Sequence, residues 1–320
     1  MGSMELIRGM HNLRPKHRGC VATIGNFDGV HRGHQAILEA LQARGQALKC
    51  PTALVTFEPQ PREFFQGREV PARLTRLREK WQRLKAFGLD YLLLLPFNEA
   101  LANSDPEAWA RAVFVDGLAV RHVLVGDDFK FGRERRGDAA LLRRLGEAEG
   151  FTVDDTPTVR DGGERISSSR IRACLAADDF PTAERLLGAP YTITGRVVYG
   201  RQLGRTLAMP TANLRLQRYR SPLAGVFAVA VEGLGRPYGG VCNIGVRPTV
   251  EGREPLLEVH LFDYTGDLYG RLLTVRFLKK IRDEKRFDGL EALKAQIHQD
   301  AEAARALWAA SGLGEAGGVP

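Results

Sequence analysis

The stretch CVATIGNFDGVHRGHQAIL, from Cys20 to Leu38, decides the fold of the first half of this chain. Its opening residues are almost continuously apolar, which is typical of a strand buried on both faces of a parallel sheet. The strand is predicted to end near Phe27, and a helical pattern of apolar residues begins near Gly33. His31 and His34 are therefore predicted to lie at a strand-to-helix junction.

The same alternation of apolar runs and helical patterns continues to the middle of the chain. Three further runs predict buried strands, namely TALVTF (52–57), YLLLLPF (91–97) and HVLVG (122–126). Between them, apolar residues at helical spacing predict a helix from Leu74 to Gly88, and Ser104 with Glu107 forms a capping-box pattern before the next helix. This order predicts an α/β, Rossmann-like doubly wound sheet with ligand sites at the carboxyl ends of its strands.

The pattern changes after Gly188 and Pro190, where short β-rich runs separated by glycines replace the strand-helix alternation. We expect a small antiparallel β-barrel followed by a C-terminal amphipathic helix from about Leu290 to Trp308. The predicted domains are residues 4–187 and 188–312. The predicted strands of the second domain lie in YTITGRVVYG, GVFAVAVEGL, YGGVCNIGV, LLEVHLFDY and LLTVRFL.

Composition narrows the class of protein. The 320 residues are 44% hydrophobic and 26% charged, which is ordinary for a globular protein and long enough for about two domains. The net charge of +8 is spread along the chain and fits either nucleic acid or phosphorylated small molecules as ligands.

The four cysteines show no paired spacing, so we expect a reducing, cytoplasmic location. Since the most apolar run is far too short to span a bilayer, no membrane partner is expected.

The junction carrying the two histidines has the properties of a phosphate site. Backbone N–H groups at a helix N-terminus favour anions, and Gly25 and Gly33 let a ligand approach the backbone closely. Protonated or hydrogen-bonding imidazoles at His31 and His34 could stabilise charge that builds on a nucleotide phosphate. Taken alone, an H-x-x-H pattern also fits capping histidines or metal ligands.

A second signature supports the phosphate interpretation. The stretch ISSSRIR, from Ile166 to Arg172, follows the H-x-G-H pattern in the order that is found in the HxGH nucleotidyltransferases, which the first half resembles. That resemblance implies that Ser168, Ser169 and Arg172 hold the β and γ phosphates of ATP.

The second half contains its own candidate site. The stretch GRQLGRTLAMPTANL, from Gly200 to Leu214, is a basic, glycine-punctuated loop that leads into Thr211 and Asn213. A threonine hydroxyl and an asparagine carbonyl are hard oxygen ligands suited to Mg²⁺ and its nucleotide, although a turn with a polar cap is the alternative. Further on, Glu258 lies in a mostly apolar strand and is either paired structurally or functional.

These motifs, together with KKIRDEKRF (279–287), FEPQPREFF (57–65) and GDDFKFG (126–132), closely resemble the bacterial bifunctional riboflavin kinase/FAD synthetase family. The resemblance implies phosphorylation of riboflavin to FMN, then adenylylation of FMN to FAD with release of pyrophosphate. Both reactions require ATP and Mg²⁺, and FMN and FAD are substrates and products here. The resemblance implies the following site residues: Glu258 as kinase base; His31, His34, Gly25, Asn26, Asp28, Ser168, Ser169 and Arg172 for ATP in the adenylyltransferase; Pro59, Pro61, Asp128 and Arg282 for flavin; Gly200, Gly204, Arg205, Thr211 and Asn213 for ATP in the kinase, the last two also for the metal.

Two rival interpretations remain at this stage. HxGH and ISSSRIR do not specify the acceptor, so the chain could be a nucleotidyltransferase for another phosphate, although PTAN and Glu258 would then be unexplained. A basic RNA-binding or flavin-carrying module without turnover is the rival from another class. The family resemblance favours neither nucleic acid nor membrane as a partner, and the sequence leaves the oligomeric state open, a monomer included.

Overall fold

The computed structural model describes residues 4–199, 211–249 and 252–314. Residues up to 70 together with 77–168 form one compact unit, and residues 71–76 together with those from 169 onward form another. The segment 71–76 thus belongs with the second half of the chain, although the sequence pattern placed Leu74 in a helix of the first half. The predicted boundary between residues 187 and 188 remains a prediction.

The first unit is built on a six-stranded parallel sheet with the order β1-β4-β3-β2-β5-β8. These strands are β1 Glu5–Arg8, β2 Val21–Ile24, β3 Thr52–Phe57, β4 Tyr91–Leu95, β5 His122–Gly126 and β8 Thr152–Thr156; shorter strands are β6 Lys130–Phe131, β7 Gly137–Asp138, β9 Arg160–Asp161 and β10 Glu164–Arg165. The strand order reverses direction between β2 and β5. This switch point is where a doubly wound sheet opens a crevice for a ligand.

Helices connect the strands of this sheet. They are α1 Arg32–Leu48, α2 Pro61–Gln66, α3 Leu77–Lys85, α4 Glu99–Ala102, α5 Pro106–Ala110 and α6 Ala139–Glu149, and a π-helical turn Arg111–Gly117 follows α5. Successive strand residues point to opposite faces, so Leu54 and Leu92 enter one core while Val55 and Leu93 enter the other. The predicted parallel α/β architecture is confirmed.

The prediction of a capping box at Ser104 was wrong. The N-cap of α5 is Asp105, whose carboxylate accepts a hydrogen bond from the Ala108 backbone N–H. Pro106 occupies the first helical position, where its missing N–H costs no hydrogen bond, so the aspartate and proline together define the helix start. The Ser104 hydroxyl instead donates to the carbonyl of Leu101.

The second unit contains a closed antiparallel barrel in the order β11-β12-β15-β14-β13-β16, with β16 pairing back to β11. Its strands are β11 Thr192–Val198, β12 Ala212–Arg215, β13 Gly225–Leu234, β14 Arg236–Thr249, β15 Gly252–Leu261 and β16 Leu272–Arg282, and its helices include α7 Ser168–Ala176, of which Ser168 belongs to the first unit, α8 Phe180–Leu187 and α9 Leu290–Ala310. Ala301 and Ala304 of α9 pack on Val226 and Ala228. The predicted barrel with a C-terminal helix is confirmed.

Helix α8 belongs to the core of the barrel unit. The Phe180 ring lies 6.1 Å from the ring of Phe227 in edge-to-face geometry and 6.4 Å from Phe277 in stacked geometry. Leu186 and Leu187 of the same helix are also buried. The barrel therefore buries aromatic surface against a helix that precedes its first strand.

This packing predicts how fragments of the chain behave. A fragment from residue 169 onward is expected to be more stable than one from residue 188, because the shorter fragment exposes the rings against which Phe180 packs. Deleting one such buried phenylalanine side chain costs about 3–5 kcal/mol. Urea unfolding of both fragments, each lacking residues 71–76, gives the comparison. Equal unfolding midpoints would show that α8 adds no stability to the barrel.

Candidate active sites

The turn from Gly25 to Val30 follows β2 at the switch point of the parallel sheet. Phe27 and Val30 are buried and have positive φ angles of 47° and 46°, a conformation that is unfavourable for residues other than glycine. Strain of this kind costs on the order of 1–3 kcal/mol per residue and clusters at functional sites. The turn is therefore held in a conformation that local sequence preference does not select.

The two histidines lie where this turn enters α1. His31 is the N-cap, and its Nδ1 accepts a hydrogen bond of 3.3 Å from the backbone N–H of His34. The two imidazole rings stack with centroids 3.6 Å apart, and the ring of Phe27 stacks on His34 at 4.6 Å. The predicted strand-to-helix junction is present, although β2 ends at Ile24 and α1 begins at Arg32, slightly earlier than expected.

Burial lowers the pKa of His34 well below its ordinary value of 6.5, and the neighbouring charges of His31, Lys80 and Arg165 lower it further. His34 is therefore neutral at pH 7, which favours hydrogen bonding over cationic charge in the free protein. Its Nδ1 is buried and has no hydrogen-bond partner among the residues that the structure describes. A polar atom in that state is available to a ligand.

Two glycines keep space open beside these rings. A Cβ at Gly33 would lie 3.2 Å from the His31 ring, and a Cβ at Gly25 would lie 3.1 Å from the Phe27 ring. Both distances are tighter than ordinary van der Waals contact, so a side chain at either position would require the neighbouring ring to shift by a few tenths of an ångström. The two glycines therefore allow the backbone to pack closely against these rings.

The ISSSRIR stretch reaches the same turn through Ser168, whose hydroxyl donates a 2.9 Å hydrogen bond to the carbonyl of Asp28. The first unit thus brings together His31, His34, Asp28, Asn26 and Ser168, and the buried Asn26 Oδ1 has no partner among the described residues. Ser169 and Arg172 belong to the second unit. There the Nε of Arg172 donates to the carbonyl of Ala72.

The predicted flavin residues of the first unit follow the carboxyl ends of β3 and β5. Pro59 follows β3, and Pro61 is the first residue of α2. Asp128 follows β5, and its carboxylate accepts from Arg165 Nη2 at 2.8 Å. Sequence reasoning missed Arg165 as a partner of this loop.

An aromatic cluster beside these prolines was also missed. The rings of Phe57, Phe64 and Phe65 each lie within 5.7 Å of the ring of Phe97, and Phe65 is 66% exposed. The stretch FEPQPREFF carried the signal, because it places three phenylalanines around two prolines at a strand end. Exposed aromatic surface in this position is suited to a planar ligand ring.

In the barrel, strand register brings three polar residues side by side. Asn213 on β12 and Asn243 on β14 are both directly opposite Glu258 on β15. Directly opposed residues of antiparallel strands project from the same face. The structure therefore forms a row of two amides around one carboxylate, of which the sequence had indicated only Asn213 and Glu258.

The surroundings of this row fit ligand binding. Asn213 Oδ1 and Asn243 Oδ1 are both buried without a hydrogen-bond partner among the described residues, while Asn243 Nδ2 donates to Glu284 Oε1 at 3.3 Å. Leu257 and Val259 on either side of Glu258 are fully buried, as the predicted period-two alternation requires. Glu258 itself is half-buried on the other face.

The structure pairs the predicted flavin residue Arg282 with Asp300 of α9. Its Nη2 lies 2.8 Å from Asp300 Oδ2, and its Nε donates to the same carboxylate at 3.0 Å. A second arginine of β16, Arg276, has its Nη2 4.0 Å from Glu184 Oε1. Both arginines thus have carboxylate partners other than Glu258.

The remaining kinase predictions concern the glycine-rich loop. Gly200, Gly204 and Arg205 lie outside the described residues, and Thr211 is exposed immediately before β12. No three His, Cys, Asp or Glu side chains form a metal-binding group within the described residues. The buried amide oxygen of Asn213 and the Thr211 hydroxyl nevertheless fit Mg²⁺, which accepts a few protein oxygens and completes its shell with water and phosphate.

Comparison with known proteins shows two family matches along the chain. The FAD synthetase family matches residues 13–170, and the riboflavin kinase family matches residues 187–308. The bifunctional riboflavin kinase/FMN adenylyltransferase of Pseudomonas fluorescens is 53% identical over 309 residues, covering 96% of this chain and 99% of that protein. The protein of the same name from Escherichia coli strain K12 is 51% identical over 304 residues, covering 94% of this chain and 97% of that protein.

A solved structure is also similar over nearly the whole chain. It is titled as a macrolide-efflux protein from Streptococcus pneumoniae, has a TM-score of 0.78 and 29% sequence identity, and covers 95% of this chain and 99% of that chain. Within the residues described here, no helix has both the length and the hydropathy needed to cross a membrane. The 95% coverage means that the similarity to this solved structure extends over both halves of the sequence.

Proposed function

The chain belongs to the family of bifunctional riboflavin kinases/FMN adenylyltransferases, and from that premise we propose which of its residues carry each reaction. It phosphorylates riboflavin with ATP to give FMN, and it adenylylates FMN with a second ATP to give FAD and pyrophosphate. The first reaction belongs to the barrel and the second to the parallel-sheet unit, as the two family matches are divided.

For the kinase, Glu258 is the base. The 5′-hydroxyl oxygen of riboflavin attacks the γ-phosphorus of ATP, the bond to the β–γ bridging oxygen breaks, ADP leaves, and the hydroxyl proton passes to the Glu258 carboxylate. Asn213 and Asn243 flank that carboxylate in register, which is the observation that carries this assignment. Glu258 is only half-buried, so its carboxylate is not fully removed from water and is accessible to a substrate hydroxyl.

Thr211 and Asn213 are proposed to hold Mg²⁺ with the kinase ATP. When bound, the ion neutralises phosphate charge and polarises the transferred phosphoryl group. Asn213 supports this role because its buried Oδ1 has no other partner among the described residues. Gly200, Gly204 and Arg205, which lie outside the described residues, are proposed to contact the phosphates of the same nucleotide.

This metal role predicts a specific defect. Asn213→Ala is expected to raise the Mg²⁺ concentration for half-maximal riboflavin phosphorylation by about 10-fold or more, because an oxygen ligand is lost. Adenylylation of supplied FMN by the same variant is the internal control. A variant with unchanged Mg²⁺ dependence would place the metal elsewhere.

For adenylyl transfer, a phosphate oxygen of FMN attacks the α-phosphorus of ATP, and pyrophosphate leaves. His31 and His34 are proposed to hydrogen-bond the phosphates in this step, with Gly25, Asn26, Asp28 and Ser168 around the same turn. Ser169 and Arg172 are proposed to contact the β and γ phosphates. Pro59, Pro61 and Asp128 are proposed to contact the flavin of FMN. In the kinase site, Arg282 is proposed to contact the flavin of riboflavin, and its ion pair with Asp300 orients it.

One experiment tests the combined function directly. Purified protein is incubated with riboflavin, ATP and Mg²⁺, and the flavins are separated at successive times. FMN should appear first and FAD later, and addition of FMN in place of riboflavin should yield FAD alone. If the protein forms no FMN from riboflavin but converts supplied FMN to FAD, it is a nucleotidyltransferase without kinase activity. If it forms neither FMN nor FAD, it is a binding module.

The proposed location is the cytoplasm. Cys20, Cys50, Cys174 and Cys242 are all free thiols, which supports a reducing compartment. Burial raises the pKa of the Cys20 thiol to about 12, so this cysteine is protonated and unreactive at neutral pH.

A further inference from the structure

Helix α3 carries a lysine that the reactions above leave unexplained. The Lys80 side chain is fully buried, with 0% exposure. Its ammonium donates to the backbone carbonyl of Asn26 and lies 3.4 Å from the Thr56 hydroxyl. Removing an ammonium group from water is costly, so a buried lysine that reaches into the junction between β2 and α1 calls for a physical reason.

One turn further along α3, Arg83 makes the same kind of contact. Its Nη1 donates a 3.2 Å hydrogen bond to the carbonyl of Gly29. Lys80 and Arg83 are three residues apart and therefore lie on the same face of the helix. The helix thus directs two cations to two carbonyl oxygens of a single six-residue turn.

The other carbonyls of the turn also accept hydrogen bonds from this unit. The Asp28 carbonyl accepts from Ser168, the Val30 carbonyl accepts from Gln35 at 2.8 Å, and the Phe27 carbonyl accepts from the Val30 N–H at 3.3 Å. Every carbonyl from Asn26 to Val30 therefore has a donor.

Carbonyl direction matters for an anion because the peptide unit is planar. In a trans peptide the C=O of one residue and the N–H of the next point in opposite directions. Lys80 therefore fixes the N–H of Phe27 as well as the carbonyl of Asn26. It also keeps a partial negative charge turned toward a protein cation and away from a bound phosphate.

We propose that α3 is a positioning element for adenylyl transfer, in which Lys80 and Arg83 hold the Asn26 and Gly29 carbonyls so that the turn accepts the ATP phosphates. This role rests on the proposed placement of adenylyl transfer at that turn. The two side chains act through the backbone, and His31 and His34 face the nucleotide.

Electrostatics supports the same arrangement. The charges that act on His34 are those of His31 at the N-cap of α1, Lys80 on α3 and Arg165 on β10. After burial and His31, Lys80 contributes to lowering the pKa of His34. Loss of the ammonium should therefore let the pKa of His34 rise, so that the imidazole becomes protonated at a higher pH than in the native protein.

Lys80→Met tests the role, because methionine keeps the length and apolar stem but removes the donor and the charge. We expect kcat/KM for FMN adenylylation to fall by about 10²-fold, as small displacements of binding groups commonly cause. The acid limb of its pH profile should move to higher pH, while riboflavin phosphorylation stays at the native rate. Lys85→Met, at an exposed position at the end of the same helix, is the matched control and should leave both reactions within about twofold of native.

Arg83→Met is the second variant, because Lys80→Met leaves the Asn26 carbonyl without the donor that Lys80 supplies and can prevent folding. Arg83 is only half-buried, so folding depends less on its side chain than on that of Lys80. Adenylylation by Arg83→Met is expected to fall by about 10-fold without loss of kinase activity. A folded Lys80→Met or Arg83→Met protein with native adenylylation and a native pH profile overturns the positioning role. Native adenylylation in His31→Ala and His34→Ala as well would instead show that the proposed site itself is misplaced.

Discussion

Glu258→Gln should lower riboflavin phosphorylation by about 10²-fold or more, because glutamine keeps the size and most hydrogen bonding of the side chain but cannot accept the proton. A primary hydroxyl is a weak nucleophile, so the carboxylate must orient it and take its proton as the bond to phosphorus forms. Asn213 and Asn243, directly opposite Glu258 in the strand register, remain in place in this variant. FMN formation from riboflavin and ATP is the measured rate.

Two comparisons make this result specific. Conversion of supplied FMN to FAD by Glu258→Gln should continue at the native rate, because that reaction belongs to the parallel-sheet unit. Glu254→Gln removes the same charge from an exposed position on the same strand and should retain kinase activity. A folded Glu258→Gln protein with near-native kinase turnover would make Glu258 a structural residue.

The sequence predicted the regular parts of the fold closely where burial dictated the pattern. The runs 52–57 and 122–126 coincide with β3 and β5, because a strand buried on both faces has few polar positions to obscure it. The run 225–234 coincides with β13, whose first seven residues are buried. Strands β1, β8 and β12 were missed. Strand β8 is an edge strand that carries two aspartates, and β12 is short and places the polar Asn213 inside a strand expected to be a loop.

Leu74 shows a second way in which a prediction of secondary structure from sequence can fail. Its spacing with Leu77 and Trp81 predicts one helix, yet α3 begins only at Leu77 and Leu74 is buried with the second unit. There the carbonyl of Leu74 accepts from the Tyr191 hydroxyl at 3.3 Å, across more than a hundred positions of sequence. Helical periodicity records only local neighbours, so it cannot show that a segment is recruited by a distant part of the chain.

The residues of the candidate sites also fall into those that local sequence patterns reveal and those that only the fold reveals. HxGH, ISSSRIR and PTAN are local patterns and were identified from the sequence, whereas Asn243 joins Glu258 only through strand register. Lys80 had no sequence signal, because a lysine in a helix rich in charged residues is usually solvent-exposed. Its burial and its contact with Asn26 depend on how α3 packs against the turn after β2.

His31→Ala and His34→Ala should each lower FAD formation from FMN by about 10²-fold, as loss of a preorganised donor to a transition state commonly does. The two rings stack at 3.6 Å, so removal of either also frees the other to move. Since burial lowers the pKa of His34 well below 6.5, the imidazole is neutral across the physiological range. Native adenylylation should therefore hold its rate as the pH falls through 6.5 and lose it only at lower pH, where His34 is protonated.

His11→Ala provides the control, because His11 is an exposed histidine of the same unit and lies outside the turn between β2 and α1. This variant should adenylylate FMN at the native rate, and all three variants should phosphorylate riboflavin normally, because that reaction belongs to the barrel. Circular dichroism and thermal unfolding of the full chain check that the parallel-sheet unit of each variant is folded. His34→Asn keeps a hydrogen-bond donor without a titratable ring, so it should recover part of the lost rate and remove the acid limb that belongs to His34. If His31→Ala and His34→Ala both adenylylate FMN at the native rate, the stacked pair is a structural cap of α1 and the phosphates of ATP bind elsewhere.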